Sequence, residues 1–395
     1  MNFDDIFRFN ATTNLIYGLG SSAQAGNEAK RLGITRVLLV TDKGVMASGI
    51  LSAALESLQA VGIPVTAFDE APQDPTDQTV DQVAEFLRSK RCDGVLVAGG
   101  GSALCTGKGA ALMAANEGRT LEFVGANKYG RPPLPCIAIP TTAGSGSEVS
   151  RITVLTDALT KRKITVAGLT NAPSSAILDP LLLRTVPFRQ ALASGIDAYT
   201  HAVEAYVARF ASPFTDALAL SAARLVAGNI GRAILSNDLE AQSQMLYASS
   251  MANLACGNAG LGLAHAMNGA ITYLSKAKNH PHVPYGLIHA IALPLVLEFN
   301  APACDGKLAE LALATGFGEP GSSRSSLVRR FVDGTKGLFS SLGAPSRLPW
   351  ENASSQDIRE MAEITLDSGQ AQQNPRKSGG HDLITLFERA IKGWE

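Results

Sequence analysis

Asp197 and His201 stand four residues apart in GIDAYTHAVEAY, a mostly apolar segment of helical periodicity, so their side chains share one face. A carboxylate and an imidazole in such surroundings need partners. A divalent cation satisfies both, and so does a plain Asp–His hydrogen bond. His265 lies on a second glycine-flanked apolar segment, GLGLAHAM at 260–267. A lone histidine there reads as a hydrogen-bonded core residue, but three such groups on inward faces of a helical bundle favour a metal site. Beyond them His280, His282 and Tyr285 crowd the polar stretch SKAKNHPHVPYG (275–286), which reads as a loop, and His289 follows in LIHAIALP. Each is a candidate ligand, proton relay or solvated residue.

A second group of residues suits an anion. The apolar run GVLVA (94–98) leads straight into Gly99, Gly100, Gly101 and Ser102, and a helical pattern follows. Consecutive glycines let a ligand approach the backbone, and the next helix offers free N–H groups and the positive end of its dipole. A pyrophosphate fits that description; so does a tight strand-to-helix turn. Asp42 closes the run RVLLVTD, where it could accept hydrogen bonds from a ribose and repel a 2′-phosphate, or simply cap a helix. IPTTAGSGSE (139–148) packs Thr141, Thr142 and Ser145 into one loop of hydroxyls and exposed amides. Lys163, in KRKI, reads equally as a surface charge.

The elements that must hold these residues divide the chain in two. RVLLVT (36–41), PVTAF (64–68), GVLVA (94–98), CIAIP (136–140) and SAILD (175–179) are short apolar strands, with helical patterns at 49–62 and 79–91 between them. Such alternation predicts a parallel sheet covered on both faces. After Val186–Pro187 long Ala- and Leu-rich segments predict a helical bundle. The expected division is therefore an α/β domain over 1–187 and an all-α domain over 188–395. Hydrophobic residues make up 46% of the 395 and charged residues 17%, which suits folded domains rather than disorder. A net charge of −1 with dispersed Lys and Arg argues against a nucleic-acid surface or a polybasic membrane patch. The start MNFDDIFRF has no apolar run of the signal-peptide kind, and no stretch has the roughly 20 uninterrupted apolar residues of a membrane span. Five widely spaced cysteines without a CxxC pair read as reduced thiols, and the expected location is cytoplasmic.

Taken in order, GGGS (99–102), IPTTAGSGSE (139–148), ILDP (177–180), GIDAYTHAVEAY (195–206), GLGLAHAM (260–267) and NPR (374–376) resemble the iron-containing (group III) alcohol dehydrogenase family over nearly the whole chain. The resemblance implies a dinucleotide domain, a helical domain and an active site in the cleft between them. It also implies a homodimer or larger oligomer, joined partly through strands such as NLIYG (14–18). By the same resemblance Gly99, Gly100, Gly101 and Ser102 bind the pyrophosphate. Thr141, Thr142 and Ser145 contact the cofactor, Lys163 lies on its nicotinamide side, and Asp42 favours NAD over NADP. Asp197, His201 and His265 fall on three of four metal-ligand positions. The metal, iron or sometimes zinc, acts as a Lewis acid on the substrate oxygen while hydride moves to or from the nicotinamide.

Three positions depart from the family's pattern. Cys105 stands where Asp is common, Gly269 where a His follows the third ligand by four residues, and Tyr285 at the fourth ligand position. Tyr285 could be a phenolate ligand or a neutral hydrogen-bond or proton donor, and His282 could serve as fourth ligand instead. The sequence therefore points to an NAD-dependent reductase or dehydrogenase of a small alcohol/aldehyde pair. Its rivals are a metal-independent or metal-altered relative resembling the maleylacetate reductases and a catalytically silent NAD-binding protein.

Overall fold

Short apolar runs ending in Gly, Pro or Asp assemble into one twisted parallel sheet. The structure is a computed structural model describing residues 6–394; residues 1–5 of the start MNFDDIFRF and Glu395 lie outside the described residues. The chain splits into two compact units, Asn10–Pro187 and a helical unit that begins at Phe188 and also takes in residues 6–9. The first unit contains β1 (Asn14–Tyr17), α1 (Ala25–Arg31), β2 (Val37–Val40), α2 (Lys43–Ala47), α3 (Ser52–Ala60), β3 (Val65–Phe68), α4 (Asp77–Ser89), β4 (Gly94–Gly99) and α5 (Gly101–Ala115). It continues with β5 (Gly125–Ala126), β6 (Cys136–Pro140), β7 (Ile152–Thr156), β8 (Lys163–Ala167) and β9 (Ser175–Leu178).

The six-stranded sheet has the order β1-β9-β6-β4-β2-β3, every pair parallel. Strands buried on both faces need apolar residues at both parities. Accordingly Val37, Leu39, Leu96, Ala98, Ile137 and Ile139 pack with Ala25 and Ala29 of α1 and Ala54 and Leu58 of α3. Leu38, Val40, Val95, Val97 and Ala138 pack oppositely, with Val83 and Leu87 of α4 and Leu104, Ala110 and Ala111 of α5. The chain runs from β2 outward to β3, then returns to place β4 on the other side of β2. The carboxyl ends of β2 and β4 therefore flank a topological switch point, where open α/β sheets bind ligands. A second sheet, β5-β8-β7, includes the antiparallel hairpin β7–β8, which the sequence reading missed.

The helical unit comprises α6 (Phe188–Val207), α7 (Pro213–Leu235), α8 (Leu239–Ala259), α9 (Leu263–Ala277), α10 (Tyr285–Ala314), α11 (Arg324–Ser341), α12 (Ser355–Leu366), α13 (Gly369–Gln373) and α14 (Gly380–Lys392). Phe9 stacks on Phe214 with ring centroids 5.8 Å apart, which ties the N-terminal residues to this unit. Helix α8 ends at Gly260, whose φ of 91° is in the left-handed region, so α9 restarts in a new direction and carries His265. The loop expected over 275–286 is shorter. Residues 275–277 complete α9, and Tyr285 and Gly286 already belong to α10, with Pro284 at its N-cap. Helices α7 and α10 have the length and apolarity of a membrane span by composition alone. In α10, however, Leu287–Leu297 is buried within the helical unit, and α7 buries Ala219, Ala222, Ala223, Val226 and Ile230 along one stripe, as amphipathic helices of a bundle do.

Candidate functional site

At the switch point, Gly99 ends β4 with φ 150°, and a Cβ there would lie 2.7 Å from that of Ala103. A Cβ on Gly101 would come within 2.8 Å of Ser145 Cβ. The turn therefore requires glycine, and the N-cap Gly100 gives α5 no side-chain cap. Such a bare helix start, with no side chain over it, fits a pyrophosphate. Asp42 plays the capping role outright, as its Oδ1 accepts from Val45 N at 2.9 Å. Its other oxygen, Oδ2, faces the Gly99 turn, 3.6 Å from the position a Cβ would take there. The cap thus leaves one carboxylate oxygen available at the switch point.

The loop after β6 is fastened to the same turn. Thr141 N donates to Gly99 O at 3.0 Å, and Thr141 and Thr142 are buried. Ser102 Oγ accepts from Asp74 N at 3.1 Å. Lys163 is no solvated surface charge: it pairs with Asp74, which also accepts from Thr156 Oγ1 at 3.0 Å. Beneath the loop, the fully buried Lys108 donates to the carbonyls of Ser147, Ser150 and Ile152 at 3.0, 3.0 and 2.9 Å. Sequence reading missed Lys108, because CTGKGAAL gives no sign that its lysine points inward. Cys105 lies buried beside it, Sγ 3.6 Å from Ser147 Oγ.

In the helical unit Asp197, His201 and His265 converge, with one donor atom from each all within 4.8 Å of one another. Asp197 and His201 come from one face of α6, as their spacing requires, and His265 comes from the first turn of α9. Burial alone would raise the Asp197 carboxyl, but His201, one turn along α6, does most to hold it down at about 2. Asp197 Oδ1 and His265 Nε2 are buried and without a hydrogen-bond partner. An ionised carboxylate and an imidazole lone pair left so in a protein interior suit a divalent cation, and these residues fit one.

Glu204, one further turn along α6, was not singled out in the sequence. Its Oε2 lies 2.6 Å from His265 Nδ1, and its two oxygens also accept from Gly262 N (3.1 Å) and Ala264 N (2.7 Å), at the start of α9. Burial opposes its ionisation, but the His265 hydrogen bond and the amide of Ala264 outweigh that and lower its pKa. Burial lowers the His265 pKa too, with His289 adding to the effect. The pair is therefore carboxylate and neutral imidazole, the proton on Nδ1 and the Nε2 lone pair aimed at Asp197, 3.8 Å away. A carboxylate behind a histidine is the usual outer partner of a metal-bound imidazole.

Tyr285 opens α10, 41% exposed, its ring edge-on to that of His289 at 5.3 Å. Desolvation by surrounding protein, then the Asp197 and Glu204 carboxylates, push its pKa up, which disfavours a phenolate. His282 is exposed on the loop and outside the converged trio. The loop is held from behind. His280 stacks on Trp350 at 4.5 Å, Trp350 Nε1 donates to Pro281 O at 3.0 Å, and Lys278 pairs with Asp357 and Glu360. Lys278 is therefore already neutralised and unsuited to binding an anionic substrate.

Family models match both units: iron-containing alcohol dehydrogenase over residues 12–180 and the C-terminal part of the Fe-containing alcohol dehydrogenase family over 191–391. The chain is 36% identical over 378 residues to 1,3-propanediol dehydrogenase of Citrobacter freundii, an alignment covering 95% of this chain and 96% of that protein. It is 31% identical over 377 residues to the NAD-dependent methanol dehydrogenase of Bacillus methanolicus, covering 95% and 97%. A crystal structure of 1,3-propanediol oxidoreductase superposes with a TM-score of 0.93 at 34% identity, over 98% of this chain and 100% of that one. The chain belongs to the iron-containing alcohol dehydrogenase family. It is an oxidoreductase of the alcohol dehydrogenase/aldehyde reductase class.

Proposed function

We propose that the protein uses NAD(H), with Asp197, His201 and His265 holding a divalent metal, iron or alternatively zinc, to interconvert a small alcohol and its aldehyde. The observation that carries this reading is the buried trio with two donor atoms left without a hydrogen-bond partner. When bound, the metal would supply Lewis-acid polarisation of the substrate oxygen and the nicotinamide would supply or accept the hydride. Residues 10–187 then form the dinucleotide domain, and 188–394 together with 6–9 the metal and substrate domain. The turn Gly99–Ser102 takes the pyrophosphate on the first N–H groups of α5. Asp42 Oδ2 accepts from ribose hydroxyls. Thr141, Thr142 and Ser145 contact the cofactor, and Lys163, held by Asp74, stands on its nicotinamide side. Asp197 stays ionised throughout, and Glu204 keeps the proton on His265 Nδ1. Tyr285, as a neutral phenol, hydrogen-bonds the substrate oxygen and can pass it a proton. A cytoplasmic homodimer is the assembly we expect, with no nucleic-acid or membrane partner.

The test is NADH oxidation with a panel of short aldehydes, before and after chelation and metal re-addition. Turnover that needs metal is expected. Full turnover without metal would replace this reading with a metal-independent reductase like the maleylacetate reductases. NADH binding without turnover on any aldehyde would leave a silent NAD-binding protein.

A further inference from the structure

Tyr285 opens α10 41% exposed, and His282 is exposed on the loop before it. One helical turn beyond Tyr285, on the same face of α10, stands His289. It is fully buried, its Nε2 is 3.2 Å from Asp197 Oδ1, and its ring centroid is 4.1 Å from that of His265. We propose that His289 supplies the fourth protein donor to the divalent cation held by Asp197, His201 and His265, leaving Tyr285 to the substrate. This rests on the metal reading given above.

The hydrogen bonds around Asn268 bear on which ring nitrogen of His289 carries its lone pair. Asn268 Nδ2 donates to the backbone carbonyl of Tyr285 at 2.9 Å, and its Oδ1 accepts from Thr272 Oγ1 at 3.1 Å. A carbonyl can only accept, so the amide cannot be turned round. The same Nδ2 faces His289 Nε2 at 3.0 Å. An amide hydrogen aimed at Nε2 requires a lone pair there, which places the imidazole proton on Nδ1. The close approach of Nε2 to Asp197 Oδ1 is then no hydrogen bond. It sets a lone pair against a carboxylate oxygen that has no hydrogen-bond partner, in a buried site. Two electron-rich atoms 3.2 Å apart repel in a medium of low dielectric, and a cation shared between them turns that repulsion into binding. In the bound state the Nε2 lone pair passes from the Asn268 amide to the cation.

The experiment measures zinc affinity by chelator competition on the full-length protein. It uses wild type, His289→Ala, His289→Gln, Tyr285→Phe and His282→Ala, with circular dichroism to confirm folding. The His289 variants should lose at least about tenfold in zinc affinity, while Tyr285→Phe and His282→Ala stay within about twofold of wild type. Cobalt-substituted His289→Gln, which keeps much of the side-chain volume, should show altered visible ligand-field bands, and Tyr285→Phe should not. Wild-type zinc affinity and unchanged cobalt bands in folded His289→Gln would overturn the assignment, as would loss of zinc confined to Tyr285→Phe or His282→Ala. A wild-type protein that binds neither metal would instead overturn the metal reading itself.

Discussion

Glu204 Oε2 lies 2.6 Å from His265 Nδ1, with both side chains 2% exposed, so the imidazole that faces Asp197 is oriented from behind by a buried carboxylate. Glu204 also accepts from the amides of Gly262 and Ala264, so both its oxygens are engaged at the first turn of α9. Glu204→Gln puts an NH2 group where one of those acceptors is needed and removes the charge that makes His265 a stronger donor. Metal affinity should fall about 10–100-fold, with about 1–3 kcal/mol lost from stability. Chelator competition at neutral pH, beside a denaturant titration, checks both. A stability loss with unchanged metal affinity would reduce Glu204 to a helix cap.

Asp42 divides its two oxygens between a helix cap and the glycine turn. Asp42→Asn keeps an oxygen for Val45 N and removes only the charge. Its stability should stay close to wild type, whereas a residue without an acceptor would lose about 1 kcal/mol of capping. The ratio of NADPH to NADH affinity should rise about tenfold as the repulsion of a 2′-phosphate disappears. Fluorescence titration with both cofactors measures it, and an unchanged ratio would leave Asp42 as a cap alone.

Gly101 and Ser145 are packed so closely that a Cβ on the first would sit 2.8 Å from the Cβ of the second. Gly101→Ala should cost about 1–3 kcal/mol through overpacking and should push the 139–148 loop off the turn, weakening NADH binding. Adding Ser145→Gly removes the obstructing atoms and should restore most of the stability. The double-mutant cycle reads the coupling directly. Additive effects would mean that the two segments do not meet in solution.

Much of this was legible in the sequence because it is local. Apolar runs punctuated by Gly and Pro mark β2, β3, β4, β6 and β9, and an Asp and a His four apart on a helical pattern must share a face. What escaped depends on which helix faces which. Glu204, not singled out at all, and His289, one candidate among several, become informative only once α6, α9 and α10 bring them against His265 and Asp197. Nothing within LIHAIALP separates an inward histidine from the exposed His282 seven residues earlier. The β7–β8 hairpin escaped because its turn, DALTKR, contains neither Gly nor Pro, and a non-glycine residue, Lys161, takes the positive φ there. The loop boundary at 275–286 was misplaced at both ends. Ser275, Lys276 and Ala277 are polar or small yet still helical, and the prolines that suggested a loop end at the N-cap of α10.

The same loop leads to a prediction about pH. Its first residue, Lys278, donates to Asp357 at 2.7 Å, and Ser354 N and Oγ donate to the same carboxylate at 2.8 Å. The Lys278 hydrogen bond is the largest influence. It and Ser354 outweigh desolvation and hold Asp357 at about 2, against 3.8 for an unperturbed aspartate. The folded protein therefore binds this proton less readily than the unfolded chain. The stability that Asp357 contributes is full above about pH 4 and disappears as the pH falls through about 2. Asp357→Asn forfeits that contribution at neutral pH and has none to lose in acid. Its denaturant midpoint should lie below wild type at pH 7, and the two should draw together between about pH 4 and pH 2. Loosening of the 278–284 loop should accompany the loss, seen as faster amide exchange at residues 279, 280, 282 and 283. Parallel midpoints across that range would mean that Asp357 is not the group holding the loop.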